Sequence, residues 1–139
     1  MSTLYLKGLE QMMLGNIDLE SDTIKLKYMA TTYTPDVTTE NWLSDVSASE
    51  ASGAPTETLA NVDVRIDTGN LRVEVDADNV TEDSISTSTN KFIIYKDTGT
   101  AATSPLIACI DITEGTLTPV SGTLALVFNA EGLFAINAT

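Results

Sequence analysis

Apolar and polar positions change their period several times along the chain. Over residues 4–14, Tyr5, Leu6, Leu9, Met12 and Met13 recur at spacings of one, three and four, which predicts a short amphipathic helix. Ser2 or Thr3 stands where an N-cap belongs, and Gly15 with Asn16 can end the helix. Gly8 lowers its intrinsic stability, so the helix is expected to depend on packing. At Ile24 the period falls to two. Ile24, Leu26 and Tyr28 alternate with Lys25, Lys27 and Met29, the pattern of a half-buried strand.

Residues 30–56 break this pattern. They are rich in Thr, Ser, Asp, Glu, Pro and Ala, and their large apolar residues are Tyr33, Val37, Trp42, Leu43 and Val46. A segment of that length reads as a long polar loop or arm. Trp42 and Leu43 are expected to pin it to the body through a helical turn over residues 40–45. The other reading makes Trp42 an interface anchor.

The centre carries the clearest β signal. Val62, Val64 and Ile66 alternate with Asp63, Arg65 and Asp67; Thr68, Gly69 and Asn70 supply a turn; Leu71, Val73 and Val75 then alternate with Arg72, Glu74 and Asp76. This predicts a hairpin with one apolar and one charged face, on which Arg65 and Arg72 can pair with Glu74 or Asp63. Residues 77–90 read as a polar connection anchored by Val80 and Ile85. Apolar strands follow at 92–95 and 106–112, separated by a turn-forming loop. After a turn at Glu114 and Gly115 comes an edge-like piece over 117–120, limited by Pro119. Residues 124–128 and 133–136 read as a last hairpin joined through 129–132. Seven or eight short strands with turn signals between them predict one all-β domain over residues 1–139. The expected architecture is an antiparallel β-sandwich, jelly-roll-like or immunoglobulin-like, with the helix over an edge or an open end.

Composition narrows the function classes. With 42% apolar and 19% charged residues in a chain of 139, the protein is globular. Its net charge is −13, from 20 acidic and 7 basic residues. Such a chain repels nucleic acid and anionic membranes, so neither is expected as a partner. The acid either keeps an exposed surface soluble or faces a basic patch on another protein. No apolar run reaches membrane-span length, and no charged-then-apolar leader opens the chain, so synthesis in the cytoplasm without export is expected.

Candidate chemistry is sparse. Histidine is absent, which removes the commonest general base and the Ser–His and Cys–His pairs. The single cysteine, Cys109, lies in the run LIACI and reads as a buried small hydrophobe. Neither a P-loop nor a dinucleotide-binding glycine pattern occurs. Asp76, Asp78, Glu82 and Asp83 cluster in DADNVTED, an oxygen-rich run that raises the question of calcium, but it lacks the spacing of an EF-hand and reads as a solvated loop. A pair of carboxylates can cleave a glycosidic bond, but twenty acidic residues make pairs by chance and no aromatic sugar groove is evident. No catalytic residue, metal or cofactor is therefore expected, and the protein is expected not to be an enzyme.

Several segments, in order, carry a resemblance: LYLKGLEQMMLGNIDLESDTIKLKYM, YTPD, NWLSDV, FIIYKDTGTAATSPLIACID and LALVFNAEGLFAIN. Together they resemble a family of small structural proteins of tailed bacteriophages, often encoded among the head genes. The likeness runs from residue 4 to about residue 137 and is weakest over 48–57 and 77–90. Tyr95, Asp97, Gly99 and Gly132 match as turn and core signatures. The resemblance implies a virion component. The leading expectation is a capsid decoration (cement) protein on the outer surface of the head, bound to the major capsid protein and forming a homodimer or homotrimer. The alternatives are a tail, neck or fibre component, and a carbohydrate- or calcium-dependent binding module. Candidate interface residues are Tyr33, Trp42, Leu43, Leu6, Met12 and Met13, with the 30–56 segment or the helix as the reaching arm.

Overall fold

The computed structural model describes residues 2–128 and 131–138, and the side chains of residues 83 and 84 lie outside that description. It is mainly β, with antiparallel sheets in a sandwich-like arrangement and a short N-terminal helix. The strands are β1 (Ser2–Leu4), β2 (Ile24–Met29), β3 (Thr56–Thr58), β4 (Asp63–Asp67), β5 (Arg72–Asp76), β6 (Val80–Ile85), β7 (Lys91–Lys96), β8 (Leu106–Asp111), β9 (Gly122–Leu126) and β10 (Phe134–Asn137). The α-helices are α1 (Leu6–Met13) and α2 (Leu43–Val46). Five strands form one sheet in the order β1-β8-β7-β2-β3; β10-β5-β4 and β6-β9 form two smaller ones.

The large sheet is buried on both faces, which explains the continuous apolar runs of β7 and β8. On one side Leu26, Tyr28, Phe92 and Ile94 meet Val75 and Phe134 of the three-stranded sheet and Val80, Leu124 and Leu126 of the two-stranded one. On the other side Met29, Ile93 and Tyr95 meet Tyr5, Tyr33 and Val46. A bulge sets this division in β8. Ile94 pairs with Ala108 but Tyr95 pairs with Leu106, so Ile107 is the extra residue. Leu106 and Cys109 therefore face one core while Ile107 and Ala108 face the other.

Helix α1 is built on that bulge. The Tyr5 amide donates to the Ile107 carbonyl at 3.0 Å. A Cβ at Gly8 would lie 2.5 Å from the Leu106 carbonyl oxygen, so glycine is what lets the helix sit against the β8 backbone. Its C-terminus closes as a Schellman motif: Asn16 donates to Gln11 at 2.9 Å and Gly15, at φ 76°, donates to Met12 at 3.1 Å.

Five expectations are corrected. Ser2 and Thr3 do not cap the helix. They belong to β1, paired with Ile110 and Cys109, and the N-cap position is Tyr5. The helix covers β8 rather than an edge or an open end, because β1 already occupies that edge. The helical turn near Trp42 starts three residues late, at Leu43, with the Asp45 carboxylate accepting the Asn41 and Trp42 amides at 2.9 Å each. Residues 80–85 are a strand and not a polar connection; an inward-facing position there holds Glu82, which hid the alternation. Finally, β9 and β10 do not form a hairpin. Their neighbours are β6 and β5, and only the isolated pair Thr89–Leu117 represents the predicted 117–120 piece.

Candidate interaction surfaces

The predicted interface residues separate into two groups. Tyr33 is 5% exposed and belongs to the second core. Its hydroxyl donates to Glu40 at 2.6 Å and meets the Tyr5 hydroxyl at 2.5 Å, while its carbonyl accepts from Lys91 Nζ at 2.6 Å. Burial raises the pKa of both phenols, so they stay neutral donors. Leu43 and Trp42 are half-buried. Leu43 packs on the second core and its amide donates to Ser104, and Lys7 Nζ lies 5.3 Å from the centre of the Trp42 ring. Residues 30–50 are thus folded onto the body, with Met29 and Glu50 bridged and the Thr89 hydroxyl bonded to the Met29 carbonyl at 2.8 Å. Met12 packs partly against the main core. Leu6 at 56% and Met13 at 88% remain exposed.

The acidic run does not converge. Asp76 accepts from Ala77 and lies 3.4 Å from Arg65, Asp78 accepts from Asn61 at 2.7 Å, and Glu82 is buried. Asp83 has its side chain outside the described residues. Among the described residues no three His, Cys, Asp or Glu side chains come together to hold a metal. Cys109 is buried, and burial pushes its thiol up to about 12, far from a reactive thiolate.

The charges have an uneven distribution of partners. Lys7 pairs with Glu10, Lys25 with Asp97, Lys27 with Glu50 and Lys96 with Asp22. Arg65 and Arg72 fork onto Glu74, which is 5% exposed, at 3.0 and 2.6 Å, and reach on to Asp76 and Asp67. Lys91 is held by the Tyr33 carbonyl. All seven lysines and arginines are engaged inside the chain, while carboxylates such as those of Asp18, Glu20, Asp63 and Glu114 stand exposed.

Two features escaped sequence reasoning. A cleft of about 730 Å³ opens between the end of β8 and the splayed strands β9 and β10, floored by Phe92, Leu124, Leu126 and Phe134, with Asp111 and Glu114 among its polar lining. The other is the hairpin sheet. Its predicted apolar face exists, but only Val75 and Phe134 of it are buried, while Ile66 is 77% exposed. Alternation revealed the face and had no means of showing that the sheet runs past the body. No protein-family model matches the chain, and no curated protein or solved structure matches it either.

Proposed function

We propose that this protein is a capsid decoration (cement) protein of a tailed bacteriophage, which binds the outside of the head and strengthens contacts between major capsid proteins. The observation that supports this most is the division of the molecule into a tightly locked body and an apolar, acid-rich exterior. Two cores cover both faces of the large sheet, whereas Leu6, Met13, Leu14 and Ile66 stay at the surface. A clamp across subunit boundaries needs buried contacts and shape, and no catalytic group. The outer face of a shell does not touch packed DNA, so an outward excess of negative charge carries no penalty there. The resemblance in the YKDTGT and NAEGLF segments points the same way.

The test is co-sedimentation of the purified protein with expanded phage heads that lack it, with copies per head counted. Saturable binding in hundreds of copies, with heads gaining resistance to heat, is the expected result. Absence of binding to heads sinks the proposal, and occupancy of six or twelve points to a neck position instead.

A further inference from the structure

The β4–β5 hairpin carries a half-covered sheet face. In the register of the three-stranded sheet, Val64 lies opposite Val75, which lies opposite Phe134, and Ile66 lies opposite Val73, which lies opposite Ile136. Residues directly opposite in antiparallel strands share a face. The inner row, Val75 and Phe134, is buried in the main core; the outer row, Ile66, Val73 and Ile136, is exposed, with Val64 at their border. The opposite face is occupied by the Arg65–Glu74–Arg72 fork, so a one-residue slip that turned the sheet over would drive that charged network into the core.

Three observations point to an occupant. Leu71, at the turn of the hairpin, holds φ 53° and is 56% exposed. A left-handed conformation is costly for leucine and free for glycine, so a large apolar group is kept at the tip against backbone preference. Next, Val64 also borders a groove of about 420 Å³ with Met12, Ile17 and Leu19, which extends the apolar surface toward the end of α1. Last, the surface is edged by carboxylates: Asp18 lines the groove, and Glu20 reaches over to accept the Val64 amide at 3.0 Å. That bond closes the β4 edge to an added strand at this point, which leaves the face as the available contact.

Charge selects the partner. Pairing this face with a second copy would set Asp18 and Glu20 against themselves, between two chains of charge −13. We infer that the Val64–Ile66–Val73–Ile136 face, with Leu71 at its tip, docks a protein surface that has an apolar centre and a Lys/Arg rim. The inference rests on the decoration reading, under which that surface belongs to the shell protein.

The experiment measures binding to expanded heads by wild type, Ile66→Ser and Leu71→Gly, with a melting curve and a sedimentation-velocity run for each. Leu71→Gly relieves the positive φ, so it stays folded while losing the side chain. Both variants are expected to bind about tenfold more weakly or worse, with melting temperatures close to wild type, because exposed contacts matter for docking and little for folding. Wild-type binding is expected to weaken as NaCl rises from about 50 to about 500 mM, since the rim contacts are screened. Wild type failing to bind heads overturns the decoration reading, and this inference with it. Wild type binding while both variants match it overturns this inference alone. Binding that is unchanged or strengthened by salt removes the basic rim. An oligomer of wild type that Ile66→Ser dissociates, with head binding retained, makes the face a contact between copies and overturns the inference.

Discussion

Gly8→Ala sets helix propensity against packing. In an isolated helix the change would stabilise by about 0.8–1 kcal/mol. Here the new methyl carbon would lie 2.5 Å from the Leu106 carbonyl oxygen and 2.7 Å from the Ile107 Cα. Comfortable contacts are about 3.5–4 Å, so the overlap is about 1 Å on two backbone atoms. Neither atom can rotate aside, because β8 is held between β1 and β7. The helix must lift, which strains the Tyr5–Ile107 bond at the bulge. Overpacking of this kind costs about 1–3 kcal/mol, and backbone overlap places it at the upper end. The net expectation is a loss of about 2 kcal/mol after the propensity gain. For a chain of this length that lowers the melting temperature by about 6–10 °C. Urea denaturation followed by far-ultraviolet circular dichroism measures it, with Met13→Ala, at an 88% exposed site of the same helix, as the control expected to stay near wild type. A Gly8→Ala protein as stable as wild type, or more so, would refute the close approach of α1 to β8.

Three further outcomes are expected. The hydroxyl of Thr89, a fully buried residue, points one proton between the Met29 and Lys91 carbonyls at 2.8 and 2.9 Å, so Thr89→Val should cost about 1 kcal/mol in the same assay, and no loss would show that neither bond contributes. The Cys109 thiol, pushed up to about 12 mainly by burial, should not react with an aromatic disulfide reagent at pH 8 until the protein is unfolded; prompt labelling of the folded protein contradicts the core placement. Asp97 and Asp22 have carboxyls held below the usual range, chiefly by hydrogen bonds from Lys25 and Lys96. A folded-state pKa below the unfolded one gives stability that is complete above about pH 4 and is lost as the pH falls through the folded value. Melting temperature should therefore fall on acidification below about pH 4, and Asp97→Asn should flatten the fall. A rise instead would mean that relief of the net negative charge outweighs these contacts.

Local periodicity was enough for the elements whose two sides differ. The alternation of β2 and of the β4–β5 hairpin, and the Gly15–Asn16 end of α1, are read directly from neighbouring residues, because side-chain period and turn chemistry are local properties. The acidic excess and the absence of histidine are likewise complete in composition. Local patterns failed where partners are distant. Glu82 inside β6 reads as loop until β9 is seen beside it, and Ser2–Leu4 reads as a helix start until β8 is seen to pair with it. The predicted interface residue Tyr33 turned out to be core, because its hydroxyl finds Tyr5 across 28 residues of chain.

The candidate surface shows the same limit. Sequence alone determined that Val64, Ile66, Val73 and Val75 share a face, since strand geometry requires it. Whether that face is covered depends on where the three-stranded sheet ends relative to the body. Only the tertiary structure decided that Val75 is buried and Ile66 is not, because burial is set by what other segments reach, and alternation carries no information about distance from the core.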